Sequence, residues 1–148
     1  MENEIKKLPI ASDHGGYEMK EFLREKLLAS GYEVVDFGTD SLESVDYPDK
    51  IHPLAEAISA DKYPLGIILC GSGNGAQLAA NKHAGVRAAL CWNIELARLA
   101  RAHNNANILS LPGRFIAFEL AWEMVQVFLK TKFEGGRHQQ RVQKIEQF

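Results

Sequence analysis

The sequence predicts an α/β fold: a five-stranded, mostly parallel sheet with helices on both faces. Three observations predict it. Short apolar runs alternate with longer amphipathic stretches along the whole chain. The apolar runs, "LGIILC" at 65–70 above all, are apolar at consecutive positions, the pattern of strands covered on both sides. No repeat, low-complexity tract or linker interrupts the 148 residues, so one domain over 1–148 is expected.

Each element follows from its local pattern. "LPIAS" (8–12) is a strand with a proline at its start. "YEMKEFLREKLLASG" (17–31) places Tyr17, Phe22, Leu23, Leu27 and Leu28 at helical spacing and ends in Gly31, a residue suited to the left-handed position after a helix. "YEVVDFG" (32–38) is a second strand. "DYPDKIHPLAEAISAD" (46–61) is a helix that Pro53 either breaks or begins. "LGIILC" (65–70) is the third strand, and "GAQLAANK" (75–82) a helix opening after glycines. "GVRAALC" (85–91) is a strand, "NIELARLARAHN" (93–104) a helix, and "ANILSLPG" (106–113) the fifth strand. "FIAFELAWEMVQVFLK" (115–130) is a long apolar helix. After Gly135–Gly136 a final helix is expected over about 137–146.

Composition narrows the function classes. A formal net charge of -2 supplies no global basic field, which argues against nucleic acid as the main partner. No apolar run approaches the ~20 residues that span a bilayer, so no membrane partner is expected. The opening "MENEIKKLPIASDHGG" lacks the apolar core of a secretory signal. Cys70 and Cys91 form neither a disulfide framework nor a metal-ligand spacing, so a reducing cytoplasm is the expected setting.

If the sheet is parallel, its carboxyl ends bring several polar residues to one rim, where ligands bind in such folds. Strand one ends at Ser12, Asp13 and His14. Strand three ends at Cys70, with Gly71, Ser72, Gly73, Asn74 and Gly75 behind it. Strand four ends near Trp92 and Asn93, and strand five at Arg114. Asp13 and His14 alone read most plainly as a capping carboxylate and a solvated histidine. The glycine turn has a sharper meaning. Backbone N–H groups approach a ligand closely where no Cβ intervenes, and at a helix start they face negative charge. "GSGNGA" (71–76) also fits a dinucleotide pattern. However, it follows the third strand, and Asn93 stands where an acidic residue is expected.

Cys70 has two readings, a small apolar residue ending a strand or a reactive thiol beside a helix start that favours the thiolate. Cys91 lies in a strand pattern with no glycine turn, so it belongs to the core. His103 ends a helix, where it complements the helix dipole or shuttles a proton. Arg137 and Arg141 are four residues apart with His138 beside them. They form a solvated basic face or, with Arg114, a phosphate-binding cluster.

The motifs "SDHGG", "DYPD" (46–49), "CGSGNG" (70–75), "AANK" (79–82), "ARAHNNANIL" (100–109) and "EGGRHQQRV" (134–142) occur in one order. In that order they resemble the ribose-5-phosphate isomerase type B family, a group that includes allose-6-phosphate and galactose-6-phosphate isomerases. The resemblance covers nearly the whole chain. It implies aldose–ketose isomerisation of a sugar phosphate without a metal or organic cofactor. It implies a three-layer Rossmann-like domain, and a homodimer or dimer of dimers with the active site at the subunit interface.

By the same resemblance Cys70 is the base that moves a proton between C1 and C2. Gly71, Ser72, Gly73, Asn74 and Gly75 hold the enediolate oxygens. Asp13 and His103 match residues that open the sugar ring. His14, Arg114, Arg137 and Arg141 match the phosphate-binding set, and Tyr47 and Asn104 match further substrate contacts. The last helix is expected to reach the partner subunit. Many members carry threonine where this chain has Ser72, a change that keeps the hydroxyl. Members without the cysteine use a carboxylate in the glycine turn, where this chain has Gly75 and Ala76. Two alternatives stay open: a six-carbon sugar phosphate as substrate, and a noncatalytic phosphate- or nucleotide-binding module.

Overall fold

The structure, a computed structural model, describes residues 5–147. Five strands form one sheet: β1 (Lys7–Ser12), β2 (Glu33–Asp36), β3 (Gly66–Cys70), β4 (Ala88–Leu90) and β5 (Ile108–Pro112). Their order is β2-β1-β3-β5-β4 and every pairing is parallel. The expected "mostly parallel" sheet is therefore wholly parallel. Strands β2 to β5 are shorter than expected, because their flanking residues turn into loops, while β1 starts one residue earlier, at Lys7.

Six α-helices follow the strands: α1 (Tyr17–Ala29), α2 (Tyr47–Ser59), α3 (Asn74–Ala80), α4 (Ile94–Ala102), α5 (Phe118–Lys130) and α6 (Arg137–Glu146). Alternation along the central strands sorts them into layers. Ile67 and Leu69 of β3 face Leu23, Met124 and Phe128 in a core built with α1, α4 and α5. Ile68 and Cys70 face Leu54, Ala76 and Ala80 in a second core built with α2 and α3. The three-layer expectation is met, and Cys70 points to the α2–α3 side.

Helix ends follow their sequence signals. Asp13 accepts N–H bonds from Gly15 (2.9 Å) and Gly16 (3.2 Å), capping the short 3-10 turn that leads into α1. At the other end Gly31, at φ +95°, closes a Schellman motif. The Tyr32 N–H donates to the Leu27 carbonyl and the Gly31 N–H to that of Leu28. α2 differs from both expected forms. It starts at Tyr47, carries Pro48 in its first turn and runs on through Pro53. Pro53 removes one bond, to the carbonyl four residues back, and packing of Ile51, Leu54 and Ile58 outweighs that loss.

The strand order reverses between β1 and β3. The chain steps outward from β1 to β2, then returns to the other side of β1. In such sheets that reversal is where a ligand crevice forms, here at the carboxyl ends of β1 and β3, beside Asp13 and the loop after Cys70. α6 stands outside both layers. Its Val142 is buried but joins neither core, and Glu146 pairs with Arg87 at 2.7 Å.

Candidate active site

At the crevice, three glycine-bearing loops meet. A Cβ on Gly15 would lie 2.9 Å from the Gly71 nitrogen, and one on Gly113 would lie 3.0 Å from the Gly15 carbonyl oxygen. The loops after β1, β3 and β5 pack this closely only because these positions lack side chains. The Gly113 N–H donates to the Cys70 carbonyl (2.9 Å), and the Arg114 N–H to that of Gly71 (3.0 Å).

Cys70 ends β3 and is 5% exposed. The Gly73 N–H donates to its sulfur at 3.1 Å. Gly73 itself has φ +78° and starts α3. A Cβ there would lie 2.5 Å from Leu90 Cδ1 and 3.1 Å from the Leu111 carbonyl carbon. The carbonyl of Gly73 accepts from the buried Ser110 hydroxyl at 2.8 Å. The turn is thus pinned from below, with its N–H aimed at the thiol. The Ser72 hydroxyl accepts from the Asn74 N–H at 3.2 Å.

The other carboxyl-edge residues surround this turn. The Tyr47 ring covers Gly75, where a Cβ would strike it at 2.5 Å. The Arg114 side chain lies across Gly71, with Nη1 at 3.4 Å from a Cβ built there. Asp13 is buried, held by the N–H groups of Gly15 and Gly16. His14 Nδ1 accepts the Val45 N–H at 3.1 Å, which leaves its proton on Nε2 in the neutral ring. Asp13, His14, Tyr47, Cys70, Gly71, Ser72, Gly73, Asn74, Gly75 and Arg114 therefore share one edge of the molecule. The plain reading of Asp13 as a cap holds as well.

His103, Asn104, Arg137 and Arg141 lie elsewhere. α4 starts beside the carboxyl end of β4 and runs down to the amino edge. There Asn107 accepts from the Gly66 N–H and donates to the Arg87 carbonyl, next to the starts of β3 and β4. His103 caps α4 at that edge. The segment after α5 joins it, since the Glu134 N–H donates to the Ala102 carbonyl and Arg101 donates to Thr131 and Ala106. α6 begins here with Arg137. Its neighbour His138 stacks on His103, ring centroids 4.1 Å apart and planes 14° apart. Glu134 Oε1 lies 3.7 Å from Nε2 of both rings. Close packing pushes the His138 pKa below its ordinary value, helped by His103 and Arg137 beside it.

The candidate residues thus fall into two clusters at opposite edges of one chain. A broad cleft of about 1510 Å³ also opens at the amino edge, beside Lys7, Lys62, Arg87 and Arg101, and neither cysteine lines it. Beside the glycine turn is a smaller apolar crevice of about 280 Å³, lined by Ser72, Asn74, Leu90, Trp92, Pro112 and Phe115. Cys91 is core, as expected: it is 2% exposed, and burial pushes its pKa up to about 12.

Sequence reasoning passed over Ser110, Glu134 and the contact of His138 with His103. Ser110 carried a signal, a lone hydroxyl in the buried run "ILSLP". Glu134 carried none, because its nearness to His103 depends on how α5 returns to α4.

Residues 8–145 match the family model described as Ribose/Galactose Isomerase. Ribose-5-phosphate isomerase B of Escherichia coli is 41% identical over 141 residues, 95% of each chain. Among solved structures, a ribose 5-phosphate isomerase of Thermotoga maritima is 51% identical with a TM-score of 0.95, covering 99% of this chain and 100% of its own. Ribose-5-phosphate isomerase B of Mycoplasma genitalium with bound ribulose-5-phosphate is 41% identical with a TM-score of 0.93, covering 98% of this chain and 97% of its own.

Proposed function

The chain belongs to the ribose/galactose isomerase family, and from that premise we propose that it interconverts ribose 5-phosphate and ribulose 5-phosphate. One observation carries the chemistry: the Cys70 thiol sits at the carboxyl end of β3, where the strand order reverses, and accepts the Gly73 N–H. The Gly73 N–H holds the sulfur in place, and the sulfur is the atom we assign to take the proton. The relatives carry the choice of a pentose, and a six-carbon sugar phosphate remains the competing substrate.

The residues divide the work as follows. The phosphate rests on His14 and Arg114, joined by Arg137 and Arg141 of a second copy. His103 of that copy, with Asp13, moves the proton that opens the ring. Cys70 thiolate takes the proton from C2. The C2–H electrons form a C1=C2 bond and the carbonyl electrons move onto O1, giving a cis-enediolate. The N–H groups of Gly71 and Gly75 then face the developing charge, joined by that of Asn74 as the Ser72 hydroxyl it donates to turns to the substrate, and that hydroxyl helps pass the O2 proton to O1. As the carbonyl forms at O2, C1 recovers the proton from the Cys70 thiol, and ribulose 5-phosphate results. Tyr47 and Asn104 position the sugar. No step asks for a metal or organic cofactor.

This assignment requires a homodimer or a dimer of dimers. One chain holds Cys70 and His103 at opposite edges, so each site is completed by two copies. The carboxyl edge is suited to such a contact. Trp92 (57% exposed), Phe115 (73%) and Leu78 (68%) are large apolar side chains left in water, and two of them line the crevice next to Ser72. α6, held through His138, Val142 and Glu146 with its other residues exposed or half-exposed, is the arm we assign to the contact, within a single isomerase domain over 1–148. Among the described residues no helix is long and apolar enough to cross a membrane, and a cytoplasmic sugar-phosphate isomerase is the setting this reading implies.

The direct test is turnover of ribose 5-phosphate by the purified protein, with allose 6-phosphate and galactose 6-phosphate alongside. Fast pentose turnover is expected. Activity on a hexose phosphate alone would move the substrate and keep the mechanism. Phosphate binding with no turnover of any of the three would leave a binding module.

A further inference from the structure

We propose that His103, Glu134 and His138 form a zinc site, and that zinc bound there inhibits the isomerase. The three side chains supply two imidazoles and a carboxylate, a donor set that suits zinc with water as fourth ligand. In a tetrahedral site with bonds of ~2.0–2.2 Å, neighbouring donor atoms lie roughly 3.3–3.5 Å apart. Glu134 Oε1 is 3.7 Å from each Nε2, and all three donor atoms fall within 4.8 Å of one another. Two edges of the donor triangle are thus within a few tenths of an ångström of what the ion requires.

The remaining adjustment is a splaying of the rings, because near-parallel imidazoles point their lone pairs side by side. Exposure determines which side chain moves. His138 is 9% exposed and fixed, whereas His103 is 36% exposed and Glu134 53%. His103 and Glu134 therefore close onto His138. Arg137 and Arg141 flank His138 and oppose a cation, while the Glu134 carboxylate offsets them. The inhibitory consequence rests on the reading of His103 as the ring-opening residue, since zinc would occupy its Nε2. The binding site does not depend on that reading.

The experiment separates the two. Metal-free wild-type protein, Glu134→Gln and His138→Ala are titrated with zinc by calorimetry and with cobalt(II) by visible absorption. Turnover is followed with zinc and again after EDTA. The expected wild-type result is one zinc per chain, an intense tetrahedral cobalt spectrum, and EDTA-reversible loss of at least ~10-fold in turnover. In both variants zinc affinity should fall by ~10–100-fold or more, with metal-free turnover unchanged in Glu134→Gln. Glu134 is exposed, so its variant stands if His138→Ala fails to fold. Undiminished zinc affinity in Glu134→Gln, or no zinc binding by wild type, overturns the site. Zinc lost on Cys70→Ser instead assigns it to the opposite edge and overturns the proposal too. Binding with full turnover overturns the inhibition and removes His103 from proton transfer. Failure of metal-free wild type to isomerise sinks the functional reading, while calorimetry still tests the site.

Discussion

At the scale of single residues, Gly73 and Cys70 act together. The N–H that Gly73 offers to sulfur exists only while its backbone stays at φ +78°, a conformation that strains any residue with a Cβ. Space forbids a Cβ there as well, with Leu90 Cδ1 at 2.5 Å. Gly73→Ala is therefore expected to destabilise the fold by about 1–3 kcal/mol and to lower kcat in the fraction that folds. Urea melts and kinetics on the same sample check it, and an unchanged kcat would mean that the turn does not set the reacting geometry. Cys70→Ala removes the base we propose but little volume. It should reduce kcat by at least ~10²–10⁴-fold while ribose 5-phosphate still binds, as calorimetry would read. The cysteine and glycines were legible as letters. What the sequence did not carry is the direction of the Gly73 N–H, because Ser110, 37 residues along the chain, fixes it.

At the scale of elements, the alternation of strands and helices was readable because each central strand is covered on both faces, leaving unbroken apolar runs. Boundaries were less so. Pro53 read as a break or a start, yet α2 continues through it because three apolar side chains on that helix pack into the core around it. Two contacts between elements invite measurement. Ser110→Ala leaves the Gly73 carbonyl buried without its donor, so a loss of about 1–3 kcal/mol in unfolding free energy is expected. The second contact joins α2 to the loop after α3, where His52 Nδ1 and His83 Nε2 stand 2.7 Å apart. One proton serves both nitrogens. Burial and the neighbouring His52 hold the His83 pKa below 6.5, against a smaller opposing pull from Glu56. The unfolded chain therefore takes up the proton first as pH falls. The stability this contact contributes is full above about pH 6.5 and is lost as pH drops through the lower folded value. Melting temperature should fall between about pH 7.5 and about pH 5 in wild type. His83→Gln, which keeps a polar group but does not titrate, should flatten that fall. An equal slope in both proteins would assign the sensitivity elsewhere.

For the whole molecule, what matters is that the candidate site does not close within one chain. The motifs around Cys70 and those around His103 are both plain in the sequence, but linear order says nothing of which edge each reaches. Helix direction decides it: in a parallel sheet, a residue before a helix and a residue after it lie at opposite edges. Asp13 and Cys70 precede helices, whereas His103 follows α4 and Arg137 follows the return of α5. This separation makes a prediction about mixtures of two inactive proteins. Cys70→Ala lacks the proposed base but keeps His103, and His103→Ala has the reverse defect. In a twofold dimer of the two, one site has lost both groups and the other has lost neither. Random exchange of equal amounts makes about half the dimers mixed, and half of the sites in those are intact. Activity should thus recover to roughly a quarter of wild type after mixing under conditions that permit subunit exchange. Recovery should appear at the rate of exchange, and chemical cross-linking of each variant before mixing should abolish it. If the mixture stays silent while mass measurement shows mixed dimers, Cys70 and His103 do not meet across the interface. The ring-opening role would then have to pass to a residue at the carboxyl edge, with His14 beside Asp13 the first to test.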